Sequence, residues 1–100
     1  MDFWRNAPHG WAMRCYVGVV HKDANSHFGV RFPDLPGCAT VGRTMAIARR
    51  MAAAALAVHL GGFPEGDPFP VARSLAQIHD DPEWRDATTL ILVDAPTTST

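Results

Sequence analysis

Cysteine is scarce in this 100-residue chain: Cys15 and Cys38 stand alone. Two thiols make a disulfide framework improbable, and their separation is not that of a metal knuckle. Long apolar runs are missing too. The longest, Met51 to Leu60, is about half of the ~20 residues a membrane span needs. No basic stretch leads into an unbroken apolar run, so no signal peptide is expected. Nor is there an excess of one charge: nine Lys/Arg against ten Asp/Glu leave a formal −1, which excludes the global basic field of non-specific nucleic-acid binders. A reducing, cytoplasmic protein without a membrane span is what these absences leave. With 47% hydrophobic and 19% charged residues, the composition is that of one soluble globular domain rather than a disordered chain.

The near-neutral total hides a dipolar chain. Residues 1–63 hold seven Lys/Arg against three Asp/Glu, a net +4, whereas residues 64–100 hold two against seven, a net −5. The acids are not arranged for catalysis. Two-metal chemistry needs carboxylates converging on ions ~3.5–4 Å apart, yet the first strand and the long helix contain none, and Asp94 ends the last strand alone. The five histidines lack the spacing of a zinc site within one element. Ser26 and Ser74 have no nucleophile-elbow context, and Cys38 reads as a small buried hydrophobe. No catalytic residue, metal or cofactor is therefore expected, and the chain does not read as an enzyme.

Local patterns predict the elements. Cys15 to His21 is β-branched and aromatic, hence a strand. A polar connection with Asp23 and Asn25 follows, then an alternating strand over His27 to Phe32 with Phe28, Val30 and Phe32 on one face. Pro36-Gly37 fits the centre of a type II turn, after which Cys38 to Val41 forms a short third strand. Thr44 caps a helix from Met45 to Leu60, which Gly61-Gly62 ends. Its Ile47, Met51, Ala55 and Val58 are expected to cover the sheet. Its Ala46, Ala53 and Ala57, with Arg49 and Arg50 between them, either admit a second backbone for self-association or reflect the helix propensity of alanine. Ser74 caps a short helix over Leu75 to His79, and Thr88 to Val93 is the last strand. The order β-β-β-α-β predicts an α+β fold: a four-stranded mixed sheet, its last strand parallel to the first, with one long helix on one face. An irregular leader is expected over residues 1–13, the domain over 14–94, and a frayed tail over 95–100.

The segments Y-V-G-V-V-H-K-D, F-G-V-R-F-P-D-L-P-G-C-A-T-V-G-R-T and E-G-D-P-F-P resemble the HicB antitoxin family over roughly residues 14–94. Phe32 to Cys38, with Gly42 and Thr44, is the specific part. The resemblance implies a partial RNase H-like fold without catalytic acids. It also implies a role in a type II toxin-antitoxin system: neutralising a HicA-type toxin, a small basic mRNA-interfering ribonuclease, by covering it. The acidic residues Glu65, Asp67, Asp80, Asp81, Glu83 and Asp86 complement such a partner, with Asp34 and Leu35 contributing from the signature turn. The alternative is a stand-alone interaction module that self-associates as a homo-oligomer without a toxin. Many family members carry a C-terminal DNA-binding domain, helix-turn-helix or ribbon-helix-helix; none is seen after the last strand here, so no direct DNA binding is expected of this chain.

Overall fold

Eight residues, Cys15–Lys22, form strand β1, and five of them in succession are buried. An unbroken apolar run of this kind suits a strand covered on both faces. In the computed structural model, which describes residues 15–64 and 68–95, β1 is indeed interior, with sheet order β3-β2-β1-β4. The hairpin to β2 (Phe28–Arg31) is closed by Asp23, whose Oδ1 accepts from the Asn25 and His27 amides at 2.8 and 2.9 Å. Ser26, rather than Asp23 or Asn25, takes the left-handed conformation. β3 (Ala39–Gly42) pairs antiparallel with β2.

Helix α1 (Met45–Gly61) starts where the threonine signal places it, the Thr44 hydroxyl accepting from the Ile47 amide at 3.1 Å. It covers one face of the sheet, but not through the predicted stripe. Ala48, Ala52, Leu56 and Leu60 are buried, whereas Met51 is 45% and Val58 78% exposed. Side-chain hydrophobicity points to the wrong flank because α1 lies almost directly on the backbone of β3. A Cβ added at Gly42 would stand 2.5 Å from the Ala48 amide nitrogen. Only alanines fit under a helix at that distance, and the larger residues are displaced to the side.

The last strand also departs from expectation. β4 (Thr89–Asp94) pairs antiparallel with β1, Val20 opposite Thr89 and Cys15 opposite Asp94, so the sheet is antiparallel throughout rather than mixed. The cause is the route of the chain. After α1 it crosses to the other face, where α2 (Leu75–His79) and a 3₁₀ turn (Pro82–Trp84) set Ile78 and Trp84 over Val17, Val19 and Leu90. It then enters β4 beside the end of β1, with the Thr88 amide donating to Val20 O at 2.7 Å. A right-handed return on one face therefore never occurs. Ser74 caps α2 as predicted, within a reciprocal capping box with Gln77.

The leader expected over 1–13 lies outside the described residues, as do 96–100 of the expected tail. Ala95 is buried, so the packed body includes it.

Candidate partner-docking surface

The proline corner after β2 is held by three backbone hydrogen bonds. The Phe32 amide donates to Cys38 O at 3.1 Å, Leu35 to Phe32 O at 2.9 Å, and Cys38 to Leu35 O at 3.0 Å. The last of these closes the type II turn, with Gly37 at φ +90°. Phe32, Leu35 and Cys38 all enter the core beneath α1. Leu35, read from sequence as a docking residue, is only 1% exposed and is withdrawn from any surface. The hydrogen-bonded turn exposes Pro36, leaves Pro33 half-buried and turns the leucine between them inward.

Asp34 and Asp81 come together through a residue that sequence reasoning does not reach. Arg73 donates its backbone amide and its Nε to the two oxygens of Asp34, each at 2.7 Å. Its Nη1 donates to Asp81 Oδ2 at 3.1 Å. The Asp34 side chain is 10% exposed, so its charge is consumed within the molecule. Beside this clamp the Tyr16 hydroxyl donates to Pro70 O. The corner, β1 and the segment leading to α2 are thereby tied into one body. No local pattern announces a contact 39 residues apart.

Outside the clamp, Asp80, Glu83 and Asp86 are exposed at the C-cap of α2, in the 3₁₀ turn and on the approach to β4, and Val71 and Leu75 are exposed before and at the start of α2. Arg85 is the single Lys or Arg in residues 74–88. Glu65 and Asp67 lie outside the described residues. The result is an exposed acidic stretch preceded by exposed aliphatic side chains. At the opposite end of the chain's charge distribution, Ala46, Arg49, Arg50 and Ala53 are exposed and Ala57 is half-buried along the outer side of α1, a helix without a single acid.

Hydrogen bonding shifts the titration of Asp81. The Glu83 amide holds the Asp81 carboxyl below its ordinary value; desolvation opposes it, and Arg73 adds to the lowering by hydrogen bond and charge. A carboxyl depressed on folding contributes stability above the unfolded carboxylate range, and that contribution is lost as pH falls through about 4 and below. In an NMR titration, Arg73→Ala should therefore raise the Asp81 midpoint only partway to that of an unfolded peptide, because the Glu83 amide persists. A complete return would refute this ordering.

Neither thiol is activated. Hydrogen bonding to Asp94 pushes the Cys15 thiol up, and burial does the same to Cys38. Among the described residues no three His, Cys, Asp or Glu side chains gather into a group able to hold a metal ion, and no helix is long and apolar enough to cross a membrane.

Comparison with known proteins agrees with this picture. A family model described as HicB_like antitoxin of bacterial toxin-antitoxin system matches residues 16–99. The N-terminal domain of Burkholderia pseudomallei antitoxin HicB is similar over 83% of this chain and 99% of its own, at 27% identity and a TM-score of 0.74. A chain of a HicA3 and HicB3 toxin-antitoxin complex is similar over 83% of this chain and 99% of its own, at 29% identity and a TM-score of 0.68. In the structure of Burkholderia pseudomallei antitoxin HicB, the similarity spans 85% of this chain and 64% of that one, at 26% identity and a TM-score of 0.73. No curated protein matches the chain.

Proposed function

The chain belongs to the family of HicB-like antitoxins of bacterial toxin-antitoxin systems, and from that membership we propose that it binds and neutralises a HicA-type ribonuclease toxin in the cytoplasm. It does so by covering the toxin, without chemistry of its own. The observation that carries this reading is the likeness of 83% of its length to a chain from a HicA3 and HicB3 toxin-antitoxin complex. The acidic stretch supports it physically. Asp80, Glu83 and Asp86 supply a field that attracts a basic nuclease, and Val71 and Leu75 offer aliphatic area ahead of them in the chain. The partial RNase H-like scaffold serves here as a rigid mount: among the described residues no three acids gather into a group able to hold a metal ion, and Asp80, Glu83 and Asp86 are left exposed.

Co-expression with a HicA-type toxin should restore growth that the toxin arrests, and the two should purify together at low salt. Failure of both would overturn the reading. The double substitution Glu83→Lys/Asp86→Lys should slow association about tenfold at low ionic strength and flatten its salt dependence, because steering by surface charge acts mainly on the on-rate. Stopped-flow mixing at two salt concentrations measures both quantities. An unchanged on-rate would place the toxin elsewhere on the molecule.

A further inference from the structure

The sheet ends at β3, and the structure offers an added strand both backbone partners and a place for its side chains. The Phe32 amide bonds to Cys38 O, and antiparallel pairs alternate between bonded and non-bonded. Thr40 and Gly42 therefore direct their peptide groups to β2, while Ala39 and Val41 present theirs outward. Among the described residues no strand lies beyond them. Alongside this edge runs a groove of about 370 Å³ between β3 and the flank of α1, lined by Ala39, Thr40, Met51, Ala54, Ala55 and Val58. This is the flank onto which the close approach at Gly42 pushes the larger side chains. An edge strand beside a helix-walled apolar groove is the arrangement that strand-adding peptide sites use, in which main-chain bonds give affinity and alternate side chains enter the groove.

Charge selects the occupant. α1 and β3 contain no acid. Arg43 follows β3, Arg50 lies one turn before Ala54, and His59 lines the groove itself. Neither Arg43 nor Arg50 forms an ion pair among the described residues. A second copy pairing β3 to β3 about a two-fold axis would add its own arginines and no acid, leaving like charges at one surface without a counter-charge. A basic surface is repelled for the same reason. We infer that the β3 edge and its groove receive an extended segment of an acidic partner protein, with aliphatic side chains at alternate positions and Asp or Glu at its flanks. This surface is separate from the acidic stretch assigned to the toxin.

An ¹⁵N-resolved NMR titration of the full chain tests it with the capped peptide Glu-Asp-Val-Thr-Val-Asp-Glu and its counterpart with lysine at every acidic position. The acidic peptide should shift the Ala39 and Val41 amides saturably, and the lysine peptide should not. Arg50→Glu should weaken the acidic peptide about tenfold, and Val58→Asp should abolish binding; both positions are exposed, so an unchanged spectrum certifies the fold. N-methylation of the peptide amides facing β3 should also abolish binding. Four results would overturn the inference. These are no saturable shift at Ala39 and Val41 at millimolar peptide, equal binding of the lysine peptide, shifts confined to the acidic stretch, or shifts at Ala39 and Val41 that follow protein concentration alone. None of them bears on toxin binding, which the Glu83→Lys/Asp86→Lys variant reads separately.

Discussion

Gly42→Ala is expected to destabilise the protein by about 3 kcal/mol, at the upper end of what inserting one methyl group into a packed interior costs. The new Cβ would stand 2.5 Å from the Ala48 amide nitrogen and 2.7 Å from its Cα, and both are backbone atoms of a helix capped one turn earlier at Thr44. A side chain in the way swings aside; a capped helix has to translate as a body. Such translation opens the layer beneath Ala48, Ala52 and Leu56, all fully buried. A domain of this size has roughly 5–15 kcal/mol of total stability, and each kcal/mol shifts its melting temperature by about 4–8 °C. A thermal melt followed by circular dichroism should thus fall by roughly 12–24 °C, the product of those two estimates. Gly61→Ala is the control: its added Cβ meets nothing within 4 Å, and the melting temperature should hold or rise slightly. If Gly42→Ala melted with the control, the close approach of α1 to β3 would be refuted, and with it the origin of the groove on the flank of the helix.

The same contact shows which parts of the molecule can be read from sequence. Features written in neighbouring residues were legible: alternation at Phe28, Val30 and Phe32, the caps at Thr44 and Ser74, and the turn at Pro36-Gly37. Each is decided by local backbone chemistry, and each element forms within about a residue or two of where that chemistry puts it. The buried stripe of α1 was misread because its selection rule is distance rather than hydrophobicity. With glycine opposite, the residue that fits is the smallest one, so Ala48 and Ala52 face inward and Met51 and Val58 do not. The direction of β4 was misread because it depends on which face the intervening chain crosses, and only the packing of Ile78 and Trp84 decides that. At the candidate site, the acidic half was visible as composition. Its division into carboxylates tied up inside the molecule and carboxylates left exposed was not, since Asp34 and Arg73 are paired only by the fold.

That division makes Arg73→Ala the second substitution with a large expected effect, about 2 kcal/mol. Charge-assisted hydrogen bonds contribute about 1.5–3 kcal/mol each, and stripping the partner from a buried ion costs about 3–5 kcal/mol. The Arg73 side chain is 36% exposed, however, so solvent screens the pair and the larger figure has to be discounted. What remains is Asp34, 10% exposed and left with only the Arg73 backbone amide. Arg73→Lys should recover little, because an ammonium cannot reach Asp34 and Asp81 through separate nitrogens as the guanidinium does through Nε and Nη1. A double-mutant cycle with Asp34→Ala isolates the pair, and coupling of roughly 1–2 kcal/mol is expected for contacting residues of one network. The effect should also reach binding. Arg73 fastens the segment that bears Val71 and leads through α2 to Asp80, Glu83 and Asp86 to the proline corner, so its loss should let that segment fluctuate and speed dissociation of a bound toxin while leaving the charge-steered on-rate little changed. Faster dissociation without slower association would mark Arg73 as a positioning residue. A slower association of the size expected for Glu83→Lys/Asp86→Lys would instead place it in the contact itself.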